Sequence, residues 1–444
     1  MVPNSPPSKD IFDLVIQNVD VISPYAQGVC NLGIQQGKIT SFRADSKKSA
    51  KVINGNNLTV FPGLIDSQVH FREPGLTHKE DLESGSRASV LGGVTSFMEM
   101  PNTKPATTTI ESLQQKVDLA TNRCHANFGF FIGASANNLE DLIRAEEQAG
   151  CVGIKIFLGS STGDLLLYDP AILKEIFQKT RLPISIHSEN EIRLRERDHI
   201  RAKATNALAH PEWRDEETAI SSTRMILQLA RECGRQIHLL HITTGEEMEL
   251  LSQYRDVATV EVLPQHLTFF SPDCYQKFGS LMQMNPPIRS LKHQQALWKA
   301  IHQGVVDFIG SDHAPHTLEE KNKGYPHSPS GIPGAQTIFP MMLDHALRGK
   351  LSLHQLVTLL ATNPARLFKL SNKGRIEIGM DADLTLVDLK GETTIRLQDM
   401  ASKCGQTPYD GMKFKGRIEK VFIEGETIVE SGTLVLPGRG RALT

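Results

Sequence analysis

The stretch Leu58-Thr59-Val60-Phe61-Pro62-Gly63-Leu64-Ile65-Asp66-Ser67-Gln68-Val69-His70-Phe71-Arg72-Glu73-Pro74-Gly75 decides how the rest of this chain is read. Its first half, Leu58 to Ile65, is an apolar run of strand character. It ends in polar groups able to bind a metal and a carboxylate. Strand residues alternate between faces, so Gln68, His70 and Arg72 point the same way. A carboxamide, an imidazole and a guanidinium on one face are poor packing and good material for a site.

Working outward, seven more apolar strands are predicted at residues 94–100, 126–133, 152–158, 183–187, 236–241, 257–263 and 305–311. Helical stretches with charged faces separate most of them, among them 138–149, 216–233 and 245–254. Eight strands alternating with helices predict an α/β fold, a (β/α)8 TIM barrel. The two ends read differently. Ile11-Phe12-Asp13-Leu14-Val15-Ile16, Ile39 to Phe42, Ala382 to Val387 and Ile418 to Ile423 are short strands bounded by Gly and Asp turns. They predict one small β-sandwich assembled from both chain ends. The expected organisation is residues 1–60 and 371–444 in the sandwich and 61–370 in the barrel. Residues 313–334, polar and rich in Gly and Pro, form the longest structureless piece and are placed to close over a substrate.

With 444 residues the chain can bury a large core, and its net charge of −2 gives no electrostatic reason to bind nucleic acid or an anionic membrane. No apolar run approaches the length that spans a bilayer. Met1 to Asp10 is polar and Pro-rich, without an apolar core of the signal-peptide type. The six cysteines are scattered, with no CxxC pair. A reduced, cytoplasmic protein is expected.

Barrel chemistry sits at the C-terminal ends of the strands. His70 ends the first strand, Lys155 lies in the fourth, His187 ends the fifth, His241 the sixth and Asp312 the eighth. One such histidine is ordinarily a hydrogen-bonded structural residue; the whole set at strand ends is a metal site. Imidazole and carboxylate donors suit Zn²⁺, in one or two ions, with Mn²⁺ or Co²⁺ as alternatives. Such an ion lowers the pKa of bound water towards neutrality. Asp312 can then take a proton as an amide carbonyl is attacked and return it to the departing nitrogen. Lys155, between Ile154 and Ile156, points into the site, where a bare ammonium is costly. Reaction with CO2 gives an anionic carbamate that can bridge two metals and removes that cost, and this reading is preferred to a snorkelling lysine or one paired with a carboxylate. Arg72, two residues past His70, is placed for a bidentate grip on a carboxylate.

The segments His-Phe-Arg-Glu-Pro-Gly (70–75), Met-Pro-Asn-Thr (100–103), Asn-Pro-Pro-Ile-Arg (285–289) and Asp-His-Ala-Pro-His (312–316) together resemble class I dihydroorotase of the amidohydrolase superfamily. The resemblance runs from about residue 11 to the C-terminus and includes Gly374 to Leu384, similar to the superfamily's return into the small sandwich. It implies metal-dependent, reversible cyclisation of N-carbamoyl-L-aspartate to L-dihydroorotate, in pyrimidine synthesis. It implies that Arg72, Asn102, Asn285 and His316 hold the dihydroorotate carboxylate and ring. The Gly-x-Lys-x-Phe setting of Lys155 resembles the carbamylated strand of dihydroorotases and hydantoinases. A homodimer is implied, and association with aspartate transcarbamoylase is a further possibility of the family.

Gln68 departs from the pattern, since those enzymes read His-x-His here. Gln68 either ligates through its carbonyl, or leaves the buried position empty in a one-metal enzyme on His187, His241 and the carbamate, or marks a dead site that serves as a transcarbamoylase partner. Retention of Arg72, Asn102, Asn285, Lys155 and Asp312 favours an active enzyme. The rival within enzymes is a hydantoinase or allantoinase, whose substrates lack the ring carboxylate that Arg72 would grip.

Overall fold

The computed structural model describes residues 11–159 and 165–443. The reading of Met1 to Asp10 as a polar lead lies outside the described residues. The chain begins with β1 (Phe12–Ile22), β2 (Gln27–Gln35), β3 (Lys38–Ser41), β4 (Ser49–Asn54) and β5 (Thr59–Pro62). Eight strands follow: β6 (Leu64–Val69), β7 (Val94–Glu99), β8 (Asn127–Gly133), β9 (Cys151–Phe157), β10 (Ile184–His187), β11 (Ile237–Leu239), β12 (Ala258–Val262) and β13 (Phe308–Ile309). The chain finishes with β14 (Leu384–Thr394), β15 (Lys413–Ile423), β16 (Glu426–Glu430) and β17 (Thr433–Leu434).

Strands β6 to β13 pair in sequence order, each parallel to its neighbour. A parallel bridge from Val69 to His313 and a 2.7 Å bond from His70 N to His313 O bring the first strand against the end of the last. This is the (β/α)8 barrel expected from the sequence. Its strands are buried along almost their whole length, which is why they show no strict alternation of apolar and polar residues. The helices between them start on side-chain caps, as at Asp81–Ser84 and Thr244–Glu247, where both partners of a capping box are made.

The remaining strands form one nine-stranded, mostly antiparallel sheet, in the order β17-β16-β15-β14-β5-β1-β2-β3 with β4 on β1. The two chain ends meet where β5 pairs β14. Leu14, Ile16, Leu32, Ile34, Leu384, Leu386 and Phe422 give this sheet a small core of its own.

The structure corrects three details of the sequence reading. The apolar run Leu58 to Ile65 is not one strand: Thr59–Pro62 belongs to the terminal sheet and Leu64–Val69 to the barrel. The break falls at Gly63, where a Cβ would lie 2.4 Å from Thr95 Oγ1 and 2.7 Å from Asp383 Cβ. The eighth strand is reduced to Phe308–Ile309, so the segment around Asp312 is irregular backbone. Finally, residues 313–334 are not structureless. Thr317 caps a one-turn helix, Leu318–Lys321, with a capping box to Glu320. The Lys321 ammonium is buried and donates to the carbonyls of Gln283 (3.2 Å), Pro329 (3.0 Å) and Gly331 (3.0 Å), which ties the segment down. Burial lowers its pKa to about 7.

At the opposite end of the barrel, the chain's last described residues lie along the start of β8. Phe128 N donates to Arg441 O at 2.9 Å and Leu443 N to Phe128 O at 2.8 Å. Leu443 packs with Ile65, Met98, Phe131, Val152 and Phe308 under the barrel. All six cysteines are free thiols. Among the described residues no helix is long and apolar enough to cross a membrane.

Candidate active site

All ten residues singled out in the sequence line one cavity of about 110 Å3: Gln68, His70, Arg72, Asn102, Lys155, His187, His241, Asn285, Asp312 and His316. They come from six strand ends and two loops, and Phe157, Ala314, Ser330 and Gly331 complete the wall. The backbone turns left-handed at Arg72 (φ 65), His241 (φ 39) and Asp312 (φ 44), just past β6, β11 and β13. Non-glycine residues adopt this conformation at a cost, and it is concentrated at sites where a side chain must be aimed.

One half of the cavity is built around two imidazoles. His187 Nδ1 and His241 Nε2 face each other at 3.0 Å. His187 Nε2 lies 2.8 Å from Glu189 Oε2, so that nitrogen carries the ring proton and Nδ1 presents its lone pair. Glu189 is in turn gripped by Arg214, Nε to Oε1 at 3.0 Å and Nη2 to Oε2. Burial opposes charge on Glu189, but Arg214 and His187 outweigh it and hold the carboxyl well below the usual range. Burial lowers the pKa of both histidines, leaving them neutral and competent as ligands.

The other half centres on Asp312. Its Oδ1 accepts from Gln68 Nε2 at 3.1 Å and lies 3.1 Å from His70 Nε2. His70 Nδ1 is 2.7 Å from Asn102 Oδ1. Gln68 Oε1 is buried without a hydrogen-bond partner. Lys155 stands in the same cavity. Its Nζ is buried without a hydrogen-bond partner and lies 4.6 Å from the centroid of the Phe157 ring. Burial pulls its pKa down to about 7, against the fields of Asp312 and Glu261. An uncharged amine is the form that reacts with CO2.

These donors fit a divalent cation. Two neutral imidazole nitrogens converge closely enough for one ion to bind both, and a carboxylate orients one of them from behind. Among the described residues no group of three or more His, Cys, Asp or Glu side chains is set to hold a metal. Lys155 Nζ, like Gln68 Oε1 and His241 Nδ1, is buried in the cavity wall without a hydrogen-bond partner, and is the group there that CO2 can convert into an anionic donor.

Arg72 marks the other wall. Its Nε donates to Pro315 O at 3.2 Å and its Nη2 lies 3.2 Å from His316 Nε2. Among the described residues it makes no ion pair with a carboxylate, although it is only 7% exposed. Burial lowers its pKa to about 10, still far above neutrality. His316 sits between Arg72 and Lys79 Nζ (3.1 Å from Nδ1), and burial with these cations holds it neutral. Asn285 Oδ1 is fixed by His210 Nε2 at 3.1 Å. A fixed positive charge without a counter-ion, beside an oriented amide, suits an anionic group on a small molecule.

Sequence reasoning missed the supports. Glu189 could have been found, since it follows His187 by two residues. Arg214 and His210 gave no signal, because only the fold brings them to Glu189 and Asn285. Ser330 and Gly331 lay in the segment read as loop. Arg214→Met should lower stability by about 3 kcal/mol or more, because it removes the cation that holds the buried Glu189 carboxylate with two bonds. Chemical denaturation checks this, and a loss under 1 kcal/mol would mean that Glu189 has another sufficient partner.

Comparison with known proteins agrees with this architecture. The amidohydrolase family model matches residues 59–428. A dihydroorotase of Methanothermobacter thermautotrophicus is 31% identical over 442 residues, covering 97% of each chain. An allantoinase of Deinococcus radiodurans is also 31% identical, over 97% of this chain and 98% of the other. Among solved structures, L-hydantoinase (dihydropyrimidinase) from Arthrobacter aurescens superposes with a TM-score of 0.92 at 27% identity, covering 96% of this chain and 98% of that one.

Proposed function

This chain belongs to the amidohydrolase family, and from that membership we propose that it is a dihydroorotase, interconverting N-carbamoyl-L-aspartate and L-dihydroorotate. The broader statement, that it is a hydrolase of cyclic amides, follows from the family and its relatives. The finer one rests on Arg72. A buried guanidinium with no carboxylate partner among the described residues, in one cavity with Asp312, is what a substrate carrying a ring carboxylate requires.

In this reading His187, His241 and Lys155 as its carbamate hold the metal, with His70, Asp312 and Gln68 beside them. Zn²⁺ suits that donor set and supplies, when bound, a water molecule ionised near neutral pH. The chain's own residues do the rest. Arg72 grips the substrate carboxylate, and Asn102, Asn285 and His316 orient the ring so that its amide carbon faces the metal side. Asp312 Oδ1 takes the proton released as the carbonyl carbon is attacked. It returns that proton to the ring nitrogen as the C–N bond breaks, and cyclisation is the same path reversed. Gln68 and His70, both within 3.1 Å of Asp312 Oδ1, fix the carboxylate for this transfer.

The second reading, a hydantoinase or allantoinase, is favoured by the equal match of the allantoinase relative. The test is a side-by-side assay of the metal-replete protein on dihydroorotate, hydantoin and allantoin, followed by absorbance. Dihydroorotate should be preferred by roughly 100-fold or more in kcat/KM, the discrimination that charge-assisted bonds of about 1.5–3 kcal/mol allow. Equal or better turnover of a substrate lacking the carboxylate would replace the dihydroorotase reading with the second. No turnover of any of them, at full metal content, would replace both with a non-catalytic partner of a transcarbamoylase.

A further inference from the structure

We infer that this chain holds a single divalent cation, on His187 and His241, and that Gln68 ties Asp312 into a cation-free arrangement on the opposite side of the cavity. The inference rests on the metal-dependent reading above and decides the number and place of the ions.

The two halves of the cavity are built unequally. On the β10–β11 side two imidazole nitrogens face each other 3.0 Å apart, and each ring is buried. His187 is aimed from behind by Glu189, which Arg214 holds with two bonds. Such a supporting carboxylate fixes the ring and raises its basicity, and this arrangement belongs to a working ligand. Beyond its contact with His187, His241 has its Nδ1 buried without a hydrogen-bond partner.

On the β6–β13 side Asp312 is already engaged by its protein neighbours. Gln68 offers an N–H to Asp312 Oδ1, and His70 Nε2 meets the same oxygen, both at 3.1 Å. The far nitrogen of His70 is engaged by Asn102 at 2.7 Å. The carboxylate therefore already has two nitrogen neighbours. Turning the Gln68 amide over would set its oxygen against Asp312 and leave Nε2 buried in the place where Oε1 now lacks a partner. Even then it would offer only a neutral, hard oxygen, a poor donor for Zn²⁺ beside imidazole. No ion pair of the Glu189–Arg214 kind supports the ring of His70 among the described residues.

The test counts metal in protein freed of metal by chelator, reloaded with excess Zn²⁺ and bicarbonate, and desalted. Wild type should carry one Zn²⁺ per chain by plasma mass spectrometry. His187→Ala should fall to near zero, His70→Ala should keep about one, and Gln68→His should rise to two. Two ions in wild type would overturn the inference, as would loss of the ion in His70→Ala with retention in His187→Ala. A Gln68→His protein that still holds one ion would overturn the role given to Gln68. Should Gln68→His fail to fold, the two alanine variants still decide where the ion sits. The count needs no substrate, so a protein that hydrolyses hydantoin but not dihydroorotate would lose the dihydroorotase reading and keep this one.

Discussion

Asp312→Asn should lower kcat for dihydroorotate by about 10³–10⁴-fold, the upper range for loss of a positioned general acid–base group. The variant keeps an amide oxygen where Oδ1 now accepts from Gln68 and lies beside His70, so the irregular backbone after β13 retains its anchor. The loss should thus appear in turnover, with the melting temperature little changed. Steady-state ultraviolet assays at saturating substrate, paired with a thermal melt, separate the two. A drop of less than tenfold in a folded, metal-replete protein would remove Asp312 from the proton path and direct attention to His316.

Arg72→Ala should cost about 10²–10⁴-fold in kcat/KM for dihydroorotate, since two charge-assisted bonds of about 1.5–3 kcal/mol each are lost. On hydantoin, which carries no carboxylate, the same variant should change little. Lysine should rescue poorly, because a point charge cannot reproduce the two parallel bonds of a guanidinium. The fold has little stake in this side chain: its one donated bond to a carbonyl is Nε to Pro315 O. Equal losses on both substrates would make Arg72 a residue that shapes the cavity by holding the Pro315–His316 backbone.

Much of the candidate site was legible because a parallel barrel gathers strand ends into one layer. Residues as far apart as Gln68 and Asp312 become neighbours once eight strands are counted, and polar groups at those ends stand out against apolar runs. Four things resisted reading. The passage from terminal sheet to barrel at Gly63 was hidden because β5 and β6 are both wholly buried, so no alternation marks the join. The end of β13 was overextended because residues 305–311 are mostly apolar while only Phe308 and Ile309 pair. The anchoring of residues 313–334 depends on one lysine burying its ammonium among three carbonyls, and sequence patterns place lysine on the surface. The grip of Arg214 on Glu189 was hidden for a related reason, since a buried ion pair 25 residues apart has no local pattern.

The route of the chain also fixes how the molecule comes apart. A single glycine joins β5 to β6, β5 is zipped to β14, and the segment ending at Leu443 returns to seal the barrel beneath β8. Neither the terminal sheet nor the barrel owns all of its contacts. Excising residues 61–370 would expose the apolar floor that Leu443 covers and strip β5 from the sheet. The two units are thus one cooperative block: calorimetry of the intact protein should trace a single endotherm, and no trimmed catalytic core should outlast it.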